Sequence, residues 1–421
     1  MIAGLSFTVL LLLGAPIAFV LVAAALILIH EGGNQILLEG LPQQFFAGIE
    51  SYPLLTLPLF ILLGELMGAG GIGRRLLAFA AALMLPVRAG LAYVNLLANL
   101  MMASVLGSTV AQLTVMSRLA VPEMERAGYP RDLSAAVTSA GGLLAPVLPP
   151  SMNLIVFAAV AQLPVGDLFR AALLPGLALA LAFALVIGWL GWRHNLPRIG
   201  RQSLSARLNA ARAALPALLV PAVVVGSILG SVATPTESAA LASLVTILVA
   251  VFVYREMRLS DLPRVLVRTA VTSGAVLYLV AAAQLLGWVM TFGNLPHEAA
   301  AMIRDLADSP LMFLILMNIL LLLIGTVLEP VPGIILTAPV LLPIATDVYG
   351  IDPLAFGVIL CLNLALGLLT PPVGAGLYTA SLMTGVSAGR LSWLLTPFFG
   401  AVLAVLAGLT VITALQSSVG G

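Results

Sequence analysis

The chain has 421 residues, 61% of them hydrophobic and only 8% charged. A soluble domain carries about a quarter charged residues, so this composition excludes a water-covered globule and places most of the chain against lipid or its own interior. The net charge of +1 comes from 18 basic residues, all of them arginine, set against 17 acids.

Apolar runs long enough to span a bilayer recur from end to end, while the strict alternation of a β-barrel strand is absent. Full crossings are predicted at about 4–29, 51–71, 133–160, 168–192, 213–231, 235–254, 269–293, 353–382 and 391–416. The first has no basic segment before it and no cleavage site, and reads as a retained span rather than a signal peptide. Two further segments, 90–127 and 310–348, are interrupted near their middles, by Gly107-Ser108-Thr109 and by Glu329-Pro330-Val331-Pro332-Gly333. A helix meeting such a break can turn back, so both are predicted to be re-entrant helical hairpins.

The arginines test the topology. With the amino terminus in the cytoplasm and both hairpins re-entrant, 16 of the 18 arginines fall on the cytoplasmic side, and only Arg170 and Arg304 fall outside. The 30–50 loop on the outer side carries Glu31, Glu39 and Glu50 and no arginine. That is the asymmetry of the positive-inside rule. Turning either hairpin into a double crossing leaves the parity unchanged, so the arginines speak for the orientation and the polar breaks alone for the hairpins.

The halves resemble each other at a shift of 222 residues: Pro149-Pro150 falls on Pro371-Pro372, Gly128 on Gly350, Pro175 on Pro397 and Gly107 on Glu329. The predicted organisation is a first repeat with its cytoplasmic loop over 1–212, a linking span over 213–234 and a second repeat over 235–421. The extra span inverts the second repeat relative to the first. Inverted repeats with discontinuous helices are the recurring plan of secondary transporters, with the site where the breaks meet.

The breaks carry the chemistry. Prolines in Ala145-Pro146-Val147-Leu148-Pro149-Pro150-Ser151 stop the helix and free backbone carbonyls. In a low-dielectric interior those carbonyls need a partner, and a dehydrated Na+ is a suitable one. Thr370-Pro371-Pro372-Val373-Gly374 repeats the device, and the hairpins add Ser104, Ser108 and Thr109 in the first and Thr337 in the second. Asn153 and Asn363 sit beside the breaks, where each can orient a solute, bind an ion or cap a freed backbone group. Glu65 and Glu329 are acids at membrane depth, candidates by default; Glu237 follows Thr234-Pro235, where an acid in a first helical turn is favoured by the dipole. Cys361 is the lone cysteine, and His30, His194 and His297 show no metal spacing. No phosphate-binding loop, serine elbow or HExxH motif is found, so neither an ATP-driven pump nor an enzyme is expected.

Gly107-Ser108-Thr109-Val110-Ala111, Val121-Pro122-Glu123-Met124, LAPVLPPS at 144–151, ATPTESAA at 233–240, TAPVLLPIATDVYGIDP at 337–353, FGVILCLNLALGLLTPPVG at 356–374 and LPLFILLGELM at 57–67 together resemble the large membrane subunit of TRAP transporters, the DctM-like family. The resemblance spans nearly the whole chain. It implies an all-α polytopic protein of an elevator-type superfamily, with two inverted repeats, two re-entrant hairpins and two broken helices. It further implies Na+-driven symport of an organic acid in the bacterial inner membrane, a periplasmic solute-binding protein that delivers the solute, and a small four-helix membrane subunit (DctQ-like). No fused small subunit is expected here. Two departures stand out: Leu106 and Gln112 occupy positions where the family commonly has serine and an acid, and Glu329-Pro330 replaces Asp-Pro.

On this reading Na+ is expected at Ser104, Gly107, Ser108, Thr109, Pro149 and Ser151 in the first half and at Glu329, Pro330, Thr370, Pro371 and Val373 in the second. The solute is expected between the tips, at Asn153, Pro150, Gly333, Asn363, Pro372 and Gly374. No cofactor and no nucleic-acid partner is expected; membrane lipid is. The rival within the superfamily is a stand-alone dicarboxylate carrier that needs no binding protein.

Overall fold

The structure is a computed structural model, and it describes residues 2–84, 87–198, 203–294, 303, 306–371 and 373–419. In lipid every backbone amide must bond within the protein, and the described residues accordingly form helices. The only β-type pairing among them is an isolated bridge between Arg88 and Arg198. Seven of the described helices are long and apolar enough to cross a membrane, eight if the bent pair Pro53–Ala69 and Ile72–Leu83 counts as one span.

One body gathers α1 (Ile2–Leu12), α2 (Ile17–Glu31), α3 (Leu37–Ala47), α4 (Thr56–Ala69), α11 (Leu204–Leu229), α12 (Pro235–Leu248) and α13 (Leu262–Phe292). Here α13 packs on α2, α3 and α4, and α12 packs on α4 and α11. The second body gathers α6 (Gly90–Leu106), α7 (Thr109–Arg126), α8 (Arg131–Gly142), α9 (Met152–Ala161) and α10 (Val165–Arg193) with α14 (Pro310–Val327), α15 (Pro330–Pro343), α16 (Pro353–Leu368), α17 (Ala375–Thr384) and α18 (Ala388–Val419). In both halves of the chain its order is helical hairpin, broken helix, long helix. Phe157 of α9 lies in the centre of this body beside Phe356 and over Gly357, where a Cβ would come within 2.3 Å of its ring.

The amphipathic arm α5 (Ile72–Leu83) joins the two bodies. It buries Ile72, Leu76 and Ala80 and leaves Arg74 exposed. The elbow before it bends the chain by 73°. Gly71 makes the elbow possible: its φ is +67, and a Cβ there would lie 1.7 Å from the Glu256 carboxylate. Glu256 in turn pairs with Arg74 at 2.5 Å and Arg75 at 2.6 Å, and Arg75 stacks on the Tyr254 ring at 3.6 Å. Burial alone would raise the Glu256 carboxyl, but the two guanidiniums outweigh it and hold it below the usual carboxylate range.

Three expectations change. The predicted crossing 4–29 is two short helices: Gly14, with φ +76, reverses the chain, and α1 folds back on α2. The Glu31 carboxylate accepts from the Ile2 and Ala3 amides at 2.9 and 3.0 Å. The start of α1 and the segment after α2 therefore lie at one end of this pair, whereas a single crossing puts them on opposite sides. The predicted 30–50 loop contains helix α3. The 193–212 loop is shorter than predicted, because α11 begins at Leu204, where Ser203 caps it by accepting from the Ala206 amide.

Candidate functional site

The first hairpin turns at Gly107, whose φ of +58 only glycine adopts without strain. Its carbonyl accepts from the Met152 amide at 3.3 Å, which docks the tip directly on the first helix break. A Cβ on Gly107 would lie 2.9 Å from Met152 N, so the close approach itself requires glycine. Ser108 is the N-cap residue of α7 but its side chain makes no cap hydrogen bond. The Thr109 hydroxyl is buried and has no hydrogen-bond partner. Behind them the break from Leu143 to Pro150 is entirely buried. Ser151 is committed to the protein: its hydroxyl donates to the Pro146 carbonyl at 2.7 Å and accepts from the Leu154 amide. Asn153 is buried in the first turn of α9. A cavity of about 20 Å³ separates Gly107 and Pro150 from Leu57, Phe60 and Ile61 of α4, room for one water-sized occupant.

The second hairpin repeats the contact with different partners. The Gly374 amide, at φ +44, donates to the Thr326 carbonyl at 2.8 Å, joining the end of α14 to the second break. Gly325 and Gly367 bring α14 and α16 into backbone contact: a Cβ on Gly367 would sit 2.4 Å from the Gly325 carbonyl carbon. Glu329 is the exposed N-cap residue of α15, without a cap hydrogen bond, and Pro330 follows it buried. Pro371 and Val373 are exposed, and the Thr370 hydroxyl donates to the Leu366 carbonyl at 2.8 Å. Gly333 is buried against Leu364, a packing position. The Ser104 side chain and Pro372 lie outside the described residues.

The two half-sites are cross-braced, since α15 packs on α9 and α17 packs on α7. The amino-terminal ends of α7, α15 and α17 all lack a side-chain cap. Their free amides leave partial positive charge beside the breaks. Among the described residues no cluster of three His, Cys, Asp or Glu side chains can hold a metal ion.

Behind each tip stands a buried amide ladder that the proline and glycine pattern did not reveal. In the first, Gln112 Nε2 donates to the Asn99 carbonyl at 2.9 Å and to Asn99 Oδ1 at 2.8 Å. Asn99 donates to Asn95 Oδ1 at 2.8 Å, and Asn95 donates to the Thr138 hydroxyl at 2.7 Å. In the second, Asn363 donates to Asn318 Oδ1 at 2.8 Å and Asn318 to the Thr410 hydroxyl at 2.8 Å. Gln112 Oε1 and Asn363 Oδ1 end the ladders as buried acceptors without a donor. The signal was present as Asn95 and Asn99 four apart on one face of an apolar helix.

The acids separate. Glu237 closes a capping box with Thr234, its carboxylate accepting from the Thr234 amide at 2.8 Å, so the capping reading holds. Glu65 is half-buried one turn before the end of α4 and forms no ion pair among the described residues. Cys361 is buried.

The model of the family described as Tripartite ATP-independent periplasmic transporter, DctM component, matches residues 5–415. The chain is 38% identical over 357 residues to the C4-dicarboxylate TRAP transporter large permease protein DctM of Pseudomonas aeruginosa, covering 84% of this chain and 83% of that one. It is 34% identical over 365 residues to the 2,3-diketo-L-gulonate TRAP transporter large permease protein YiaN of Escherichia coli, covering 86% and 85%. It is 33% identical over 375 residues to the sialic acid TRAP transporter large permease protein SiaM of Vibrio cholerae, covering 88% and 87%. In fold it is similar to the Alcanivorax borkumensis YdaH transporter, whose crystal structure reveals an unusual topology, with a TM-score of 0.67 at 15% identity over 92% of this chain and 90% of that one. Its relatives are transporter permeases rather than enzymes, and this multi-pass membrane chain belongs to the DctM component family of the tripartite ATP-independent periplasmic transporters.

Proposed function

We propose that the chain moves a small organic anion across the bacterial inner membrane together with Na+, as the transport subunit of a tripartite system. The observation that carries the reading is the docked first tip: Gly107 bonded to Met152, with the Thr109 hydroxyl buried and unpartnered beside it. An orphaned buried hydroxyl costs roughly 1–3 kcal/mol, and a cation with oxygen ligands removes that cost. Ser108, the break carbonyls and Thr109 supply such ligands; Glu329, Pro371 and Val373 border the second site. The solute sits between the tips, where the uncapped ends of α7, α15 and α17 favour an anion. C4-dicarboxylate, 2,3-diketo-L-gulonate and sialic acid, named for three of the relatives, are carboxylates, and isethionate, named for another, is a sulfonate; all are organic acids, which supports an organic anion here.

The body of hairpins and broken helices is the moving part, and the body of α2, α4, α11, α12 and α13 the scaffold. Residues 1–212 and 235–421 form the two inverted repeats around the linking span 213–234. The arginines put the inner ends of α4 and α7 in the cytoplasm. The segment after α2 then faces the periplasm, and the start of α1 with it, the reverse of the amino-terminal placement expected from sequence. A periplasmic binding protein hands over the solute and a small membrane subunit braces the scaffold. The test is uptake into proteoliposomes holding this chain and a small TRAP membrane subunit. Uptake should require both an inward Na+ gradient and the solute-loaded binding protein. Equal uptake without the gradient refutes Na+ coupling, and uptake of free solute points to the stand-alone carrier.

A further inference from the structure

A crevice of about 480 Å³ opens between the arm α5 and the first hairpin, well away from the tips. Its walls are mostly apolar, formed by Leu77, Ala78 and Ala81 of the arm and by Leu91, Val94 and Leu119 of the hairpin, with Asn95 and Glu123 as the uncharged and acidic polar groups in the lining. Its mouth is basic, with Arg74, Arg118 and Arg126. A second crevice of about 240 Å³ continues from it past Arg74 and Arg118 to Gly71 and Met102.

The charges do not cancel. Arg126 pairs with Glu123 at 2.6 Å, and Glu256 is shared by Arg74 and Arg75. Four arginines thus face two carboxylates, and Arg118 is exposed with no ion pair among the described residues. An arginine in the middle of a hairpin helix that meets no carboxylate stands where burial is costly. The arm leaves α4 at 73°; in the proposed topology, with α4 crossing the bilayer, it runs along the membrane surface.

An apolar channel with a net cationic mouth at the membrane surface matches one ligand chemistry, a phosphate joined to an acyl chain. We propose that this crevice holds an anionic phospholipid. Arg118 and Arg74 contact the phosphate, and an acyl chain lies along Leu77, Ala78 and Ala81. Basic pockets between helices are the form that recognition of anionic headgroups takes in membranes.

The test is native mass spectrometry of the full chain with its small subunit, released from nanodiscs that hold equal amounts of phosphatidylglycerol and phosphatidylcholine with identical chains. The complex should retain phosphatidylglycerol in preference. Arg118→Gln should lower that retention about fivefold, the loss expected for one arginine at an anionic surface. Ala78→Phe, which fills the apolar wall and leaves every charge in place, should lower it as well. Arg193→Gln, at an arginine stacked on Trp189 at the end of α10, should not. Both variants lie outside the proposed ion and solute sites and on exposed positions, and the melting temperature of each checks its folding. Equal retention of the two lipids, or wild-type retention in both variants, overturns the proposal. So does millimolar inorganic phosphate displacing the lipid completely, since the site then binds a free anion.

Discussion

At the scale of single residues, the candidate ion site depends on which oxygens the fold has already used. Thr109 and Thr370 look alike in sequence, each beside a break, yet the Thr370 hydroxyl donates to Leu366 while that of Thr109 has no partner. Thr109→Val keeps the shape and removes the orphan. The Na+-free protein should be as stable as wild type or more so, by up to about 1 kcal/mol, while the Na+ concentration that half-saturates thermal stabilisation rises about tenfold. An unchanged Na+ titration removes Thr109 from the ligand set. Gly107→Ala acts differently. It places a Cβ at φ +58, costing roughly 1–2 kcal/mol, and presses it on Met152. The folded protein should be recovered with Na+-driven uptake greatly reduced; wild-type uptake would mean that the tip need not touch the break.

At the scale of elements, most of the breaks were legible because proline and glycine act locally. The structure breaks its helices at Pro149-Pro150, Pro371 and Gly107, whereas the isolated Pro175, Pro216, Pro221 and Pro397 lie inside helices that continue. The turn at Gly14-Ala15-Pro16 carries the same residue types but reads as a kink within the apolar run predicted to cross at 4–29. The packing of α1 on α2 and the contact of Glu31 with Ile2 and Ala3 show the chain reversing. The latch of the arm was not legible, because Arg74 and Glu256 lie 182 positions apart. The ladders share that difficulty: Gln112 is local to the tip, but its partners come from α6 and α8. Gln112→Leu strips the donors from Asn99 and Gly141. It should lower resistance to unfolding in mixed detergent by roughly 1–2 kcal/mol, near the upper end for interhelical hydrogen bonds in membranes. A neutral result would make the ladder incidental. The elbow gives a pH prediction. The Glu256 carboxyl lies below the usual range, so its stabilisation is full above the unfolded value of about 4.3 and is lost only as pH falls through the lower folded value. A spin label at Leu83 should report the same arm mobility between about pH 8 and 5, both above that window. Glu256→Gln should raise the mobility throughout; a wild-type transition near neutral pH would contradict the assignment.

At the scale of the whole molecule, both tips and both breaks belong to one body, which is what the proposed movement of an occupied site as a unit requires. The bodies meet across the arm and, at the other end, across a crevice of about 470 Å³ where Arg170 of α10 donates to the Ser231 hydroxyl between α11 and α12. That crevice is open to reagents, and Cys361 is buried away from them. Cysteines at Arg170 and Ser231, joined by a short cleavable linker, therefore fasten the two bodies together without touching either tip. Proteoliposome uptake driven by a Na+ gradient, measured before and after the linker is cleaved, tests the sliding of one body past the other. The account predicts background uptake in the cross-linked protein, Na+-dependent thermal stabilisation intact, and transport restored on cleavage; uptake at the uncross-linked rate with the linker verified in place would contradict it.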